Sequence, residues 1–130
     1  MKYMLLAYTN AAEWGQVDTS SPEFLEMCAF YEDLGAELAA SGELVSTEGL
    51  ADPALTRTVR APGGGAPVVS DGPYAEAKEV LVSFSILDVE DLERALELAG
   101  RVAAATGDTI EVRPIMEDDP REVGAEASMP

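Results

Sequence analysis

The sequence contains no histidine. That removes the side chain most often used as a general base near neutral pH, and the commonest transition-metal ligand. Cysteine is almost as scarce, with Cys28 the only one. A disulfide within the chain is therefore impossible, and a zinc site would lack the Cys and His ligands it needs. Cys28 falls inside a helical pattern, which predicts a buried thiol rather than a reactive one. Phosphate-binding loops of the G-x-x-x-x-G-K-[ST] or G-x-G-x-x-G kind are missing, and so is the D-x-D-x-D-G loop of calcium sites. A carboxylate site for magnesium or calcium stays open, but no motif calls for a metal or a cofactor. Gly63-Gly64-Gly65 lies between two strand-like runs and reads as a flexible hairpin loop rather than a phosphate cradle.

Positive charge is also in short supply. Eight Lys and Arg stand against twenty-five Asp and Glu, a net charge of −17. Nucleic acids and anionic membrane surfaces both demand clustered basic residues, so direct binding to either is disfavoured. No apolar run approaches the ~20 residues that span a bilayer. The opening Met1–Tyr8 is too short for a signal core and lacks a small-residue cleavage site, so it is read as the first strand of a cytoplasmic protein.

What is present is a chain of 130 residues, 47% hydrophobic, enough for one globular domain with an ordinary core. Residues 2–8 read as a strand with two apolar faces: Tyr3, Leu5 and Ala7 on one, Met4, Leu6 and Tyr8 on the other. A polar loop over 9–19 carries the only tryptophan, Trp14. Ser20 and Glu23 fit a capping box, and Phe24, Met27, Cys28, Tyr31, Leu34 and Leu38 follow as one helical stripe ending at Gly42. A second strand over 43–49 is expected to place Ser46 and Glu48 on the face of Leu44. Thr56–Arg60 and Pro67–Val69 form the arms of a hairpin. Val80–Leu87 is a strand with Val80, Val82, Phe84 and Ile86 assigned to the helix-covered core, and Leu81, Ser83, Ser85 and Leu87 to the other face. Asp88 is taken as the cap of a second helix with Leu92, Ala95, Leu96, Ala99 and Val102 inward, stopped by Gly107. Thr109–Ile115 is the last strand, with Ile110 and Val112 on the core face and Glu111 and Arg113 on the other. The domain is placed at residues 1–116 and an acidic, flexible tail at 117–130.

This order makes the fold class α+β: a ferredoxin-like β-α-β-β-α-β sandwich with an extra β-hairpin. Helices cover only one face of such a sheet. The other face is too apolar for water, and a second copy of the chain is the economical cover, so a homodimer pairing as a dimeric α+β barrel is expected.

The opening M-K-Y-M-L-L-x-Y, E-G-L at 48–50, D-G-P-Y-A-E-A-K-E at 71–79, Leu87-Asp88-Val89 and the closing I-E-V-R-P-I at 110–115 together resemble the DGPF family, within the YCII-related proteins. The resemblance covers roughly residues 1–116. Tyr74 stands where the family name has Phe, and Val82 and Ser83 stand where small glycines are expected, which narrows a nearby pocket. The resemblance implies a dimeric α+β barrel and no established reaction. It also implies a link to extracytoplasmic-function sigma factors. A His–Asp pair proposed for some YCII-related proteins has no counterpart here.

Asp71-Gly72-Pro73 has a plain reading as a turn, in which Asp closes the loop, Gly supplies a positive φ and Pro sets the next residue, with a helical turn possible from Pro73 through Ala77. Lys78 and Glu79 read equally well as an exposed charged pair. The functional reading puts Glu79 in a dimer cleft with Ser83 and Ser85, reached by Tyr8, Glu48, Glu111 and Arg113, and points Lys78 under the helices. Glu48, Asp71 or Glu79 would then be the candidate catalytic base. Tyr8, Trp14, Tyr74, Lys78, Ser83, Ser85 and Arg113 are the candidate ligand contacts. Three functions follow: a small-molecule binding or sensing module, a cofactor-free isomerase- or monooxygenase-like enzyme, and a structural or protein-interaction dimer.

Overall fold

The computed structural model describes residues 1–73 and 78–117. Tyr74, the expected helical turn through Ala77, and all but Glu117 of the expected tail lie outside the described residues. Strand β1 (Lys2–Asn10) runs straight into a short helix α1 (Ala11–Trp14), whose first amides are capped by the Asn10 side chain at 2.9 and 3.2 Å. Helix α2 (Pro22–Ser41) follows, then β2 (Leu44–Gly49), the hairpin β3 (Arg57–Arg60) and β4 (Val68–Asp71), β5 (Glu79–Asp88), α3 (Leu92–Thr106) and β6 (Thr109–Pro114). The four long strands form one antiparallel sheet in the order β2-β5-β1-β6, with the β3–β4 hairpin a separate ribbon. This is the ferredoxin-like α+β arrangement expected from the element order.

The helix starts differ from the expected ones. Ser21, not Ser20, caps α2, accepting from the Phe24 amide at 3.1 Å, while the Ser20 hydroxyl is held by Asp18 at 2.6 Å. Ser21 directly precedes Pro22, the first helical residue, so its hydroxyl reaches the third amide of the helix. Asp91 rather than Asp88 caps α3, accepting from the Arg94 amide at 2.9 Å, and Asp88 binds the amino group of Met1. Gly42 and Gly107 end the two long helices at φ of 80° and 76°, the left-handed conformation that a glycine reaches without strain.

The core gathers Tyr3, Leu5 and Leu87 from the sheet, Leu34 and Leu38 from α2, Ala95, Leu98, Ala99 and Val102 from α3, and Val89. Phe30 packs at its edge, whereas Cys28 is exposed: the stripe of α2 runs through Met27, Phe30 and Leu34 and leaves the thiol to one side. On α3, Leu92 and Leu96 are exposed and Leu98 takes the inward place. Leu98 falls on one arc with Ala95, Ala99 and Val102 at three- and four-residue spacing.

The larger correction concerns β5. Leu87 pairs with Tyr3 and is 1% exposed, so the face of Ser83, Ser85 and Leu87 lies under the helices. Phe84 and Ile86 pair with Leu6 and Met4 on the open face. Both faces of β5 alternate plausibly, so period alone does not fix the parity; the register with β1 does. Two bulges complete the pattern. Val82 is the extra residue where the β1–β5 pairing shifts from Ala7/Ser83 to Tyr8/Leu81, and Val45 is the extra residue where the β2–β5 pairing passes from Leu44/Leu87 to Ser46/Ile86. The second bulge turns Ser46 and Glu48 away from the face of Leu44, contrary to the simple alternation, and puts Thr47 on the helix side.

Beyond the core, Glu43 just before β2 receives two hydrogen bonds from Arg94 of α3, at 2.9 and 3.0 Å. This fork-to-fork pair ties the start of the edge strand to the first turn of α3.

Candidate functional site

The helix-side face of the sheet does not close completely against α2. A cavity of about 310 Å³ remains between α2, the edge strand β2 and the middle of β5. Leu5, Leu34, Leu38, Leu87, Leu98 and Val102 give it apolar walls, and Gly35 and Gly49 leave room where side chains would stand. The polar atoms come from hydroxyls. Thr47 and Ser85, paired across β2 and β5, bring their oxygens within 3.0 Å. Tyr31 of α2 lines the cavity together with Ser83 of β5. Burial pushes the Tyr31 phenol above its ordinary pKa, and the charge of Asp108 adds to the rise.

Asp108 directly follows the Gly107 turn that ends α3 and is not among the residues lining the cavity. Burial raises its carboxyl above the usual aspartate range, hydrogen bonds from Thr9 and Thr106 oppose the rise, and the negative charges of Glu13 and Glu79 reinforce it. Chemically the cavity offers shape, apolar contact and hydroxyl hydrogen bonds. No charged side chain lines it.

A second, shallow concavity lies on the opposite side of the sheet and is lined by Tyr8, Asn10, Lys78, Glu79, Thr109 and Glu111. Glu79 accepts from the Thr109 hydroxyl at 3.1 Å. The Tyr8 phenol is raised by burial, by its hydrogen bond to Glu111 and by that carboxylate's charge.

The expected site residues thus separate into three places. Ser83 and Ser85 line the cavity, but under the helices rather than in a cleft on the open face. Tyr8, Lys78 and Glu79 meet in the shallow groove, with Glu79 cut off from Ser83 by the bulge at Val82; Lys78 does not point under the helices. Glu48 and Arg113 belong to the open face, paired with Phe84 and Met4 respectively, and both are exposed. Asp71 is far more exposed than a buried base would be, at 90% for its side chain, and holds Arg57 at 3.2 Å in the hairpin. Trp14 is half-buried on α1 and lines neither concavity. The carboxylates proposed as bases therefore share no enclosed cleft. Tyr31, Thr47 and Asp108 were the residues missed. A tyrosine inside an apolar helical stripe was the available signal for Tyr31. Thr47 had none without the bulge.

Among the described residues no group of three or more His, Cys, Asp or Glu is placed to hold a metal ion, and no helix is long and apolar enough to cross a membrane. Compared with known families, residues 1–118 match the YCII-related domain, nine-tenths of the chain. The chain belongs to the YCII-related family. A relative of this YCII-related protein, an uncharacterised protein of Rhizobium meliloti (strain 1021), is 42% identical over 53 residues, 39% of this chain and 43% of the relative. The match thus spans less than half the length of that curated relative.

Proposed function

We propose that this YCII-related protein is a small-molecule binding module whose ligand occupies the cavity between α2 and the sheet. The observation that carries the reading is the cavity itself: about 310 Å³, apolar-walled, with the hydroxyls of Tyr31, Thr47, Ser83 and Ser85 on its lining. A few convergent polar groups in a largely apolar pocket are the usual make-up of a small-molecule site. A cofactor-free enzyme using Glu48, Asp71 or Glu79 as base is less well supported, because those carboxylates are exposed and dispersed.

The proposed module is a homodimer. Met4, Leu6, Leu81, Phe84 and Ile86 form a half-buried apolar patch on the open sheet face, which a second sheet would cover. The resemblance to DGPF proteins supports reading cavity occupancy as a signal, with sigma-factor regulation as its setting.

The test is a thermal-shift screen of small apolar metabolites against the wild type and Ser83→Leu. A ligand of the folded state raises the melting temperature by mass action, so hits that vanish in the folded Ser83→Leu variant locate binding in the cavity. A flat screen, or hits unaffected by that variant, would sink the proposal.

A further inference from the structure

The cavity has a polarity of its own. Leu34, Leu38, Leu87 and Leu98 on its lining are buried and form its base. Thr47, Gly49 and Tyr31 on the same lining are exposed and mark its mouth. Nothing lies within 4 Å of where a side chain on Gly49 would begin, so the mouth stays open at the edge of the sheet. There the Thr47 and Ser85 hydroxyls meet at 3.0 Å. Each hydroxyl brings one hydrogen and two lone pairs, and the bond between them uses a single hydrogen. The Thr47 oxygen lies 3.5 Å from the Phe84 carbonyl oxygen, the outer limit for a second bond. The pair therefore keeps lone pairs for a third partner and, where Thr47 donates to Ser85, a hydrogen as well. No Lys, Arg, Asp or Glu lines the cavity. A buried ammonium, with three donors to satisfy, and a buried carboxylate, which only accepts, would both lack a counter-charge there.

We infer that the cavity takes a small uncharged alcohol: a ring-sized apolar body among the four leucines, with its hydroxyl on the Thr47–Ser85 pair. The inference rests on the cavity-binding reading and adds the ligand's chemical class to it. A hydroxyl both donates and accepts, so it completes the pair whichever of the two oxygens supplies the hydrogen between them. An ether or a ketone only accepts, and a hydrocarbon leaves the remaining capacity of the pair unused. A volume of about 310 Å³ is at the lower end of ligand pockets, which suits a body of one ring.

Four probes built on one phenyl ring separate the terms: 2-phenylethanol, ethylbenzene, phenylacetate and 2-phenylethylamine, each titrated at neutral pH and followed by protein NMR. The alcohol is expected to bind at least ~10-fold more tightly than either ion. Ser85→Ala removes one hydroxyl of the pair and should lower the ratio of alcohol to ethylbenzene affinity at least ~3-fold, about the worth of one hydrogen bond. Thr47→Val, which keeps the shape of the other side chain, should do the same. Ser83→Leu, checked for folding by circular dichroism, should remove binding of all four. An acid or amine affinity within about tenfold of the alcohol's overturns the alcohol assignment while leaving cavity binding in place. A ratio that falls less than about threefold in either hydroxyl variant does the same. No binding of any probe at about 1 mM, or binding that survives in the folded Ser83→Leu variant, overturns both readings.

Discussion

Thr47 of β2 and Ser85 of β5 face each other across the sheet with their hydroxyl oxygens 3.0 Å apart, on the side covered by α2. They meet there because Val45 is bulged out of the ladder, which reverses the alternation of β2 beyond Leu44. The pair forms part of the cavity wall that borders the sheet edge. Replacing Ser85 by Leu should fill that space. The expected outcome is loss of cavity ligands with a melting temperature within roughly 3 °C of wild type, since added apolar burial offsets the lost hydrogen bond. A fall of more than about 8 °C in a thermal melt would show that the cavity is closed in solution and that Leu overpacks it.

The parity of β5 gives a sharper contrast. Leu87 and Ile86 are neighbours in sequence, but Leu87 is inside the core and Ile86 lies on the open face. Leu87→Ala should cost about 2–5 kcal/mol in denaturant unfolding, the usual range for a fully buried leucine. Ile86→Lys should leave a folded monomer. In the homodimer reading it should halve the mass seen by light scattering, by placing a charge in the covered face. If Ile86→Lys unfolds the chain and Leu87→Ala does not, the face assignment is reversed.

The Glu43–Arg94 pair predicts an acid-dependent stability. The hydrogen bonds from Arg94, and then that from Ser41, lower the Glu43 carboxyl from 4.5 to about 2. A carboxyl depressed in the folded state contributes stability that is present above its unfolded pKa and lost as the pH falls through the folded one. Glu43→Gln should therefore lower the melting temperature by roughly 3 °C at pH 7. The difference from wild type should shrink between about pH 4.5 and about pH 2, the two ends of the shift. Melts recorded across that range check it, and a difference that grows on acidification would contradict the pairing.

Much of the architecture was legible because its signals are local. The period of residues 2–8, the glycine stops at Gly42 and Gly107, the hairpin arms and the inward Ile110 and Val112 all follow from short-range patterning, and together they specify a ferredoxin-like chain order. The absence of histidine and of paired cysteines is equally a property of the sequence alone, and it removes whole classes of chemistry. The site was less legible. Ser83 and Ser85 could be identified as the small hydroxyls of a cavity wall, because leucines alternating with serines leave space. Which side of the sheet that wall faces could not, since both sides of β5 carry apolar residues and a shift of one residue exchanges them.

That choice belongs to the tertiary structure. Register with β1 puts Leu87 opposite Tyr3 and hence under the helices. The bulges at Val45 and Val82 move Thr47 toward Ser85 and separate Glu79 from Ser83. Helix docking brings Tyr31 of α2 into the same cavity as Ser83 of β5, fifty-two residues later in the chain. The composition and periodicity of this sequence determine which elements form and which reactions lack their residues. Only strand pairing and helix docking, which depend on contacts between distant segments, decide which hydroxyls share one cavity.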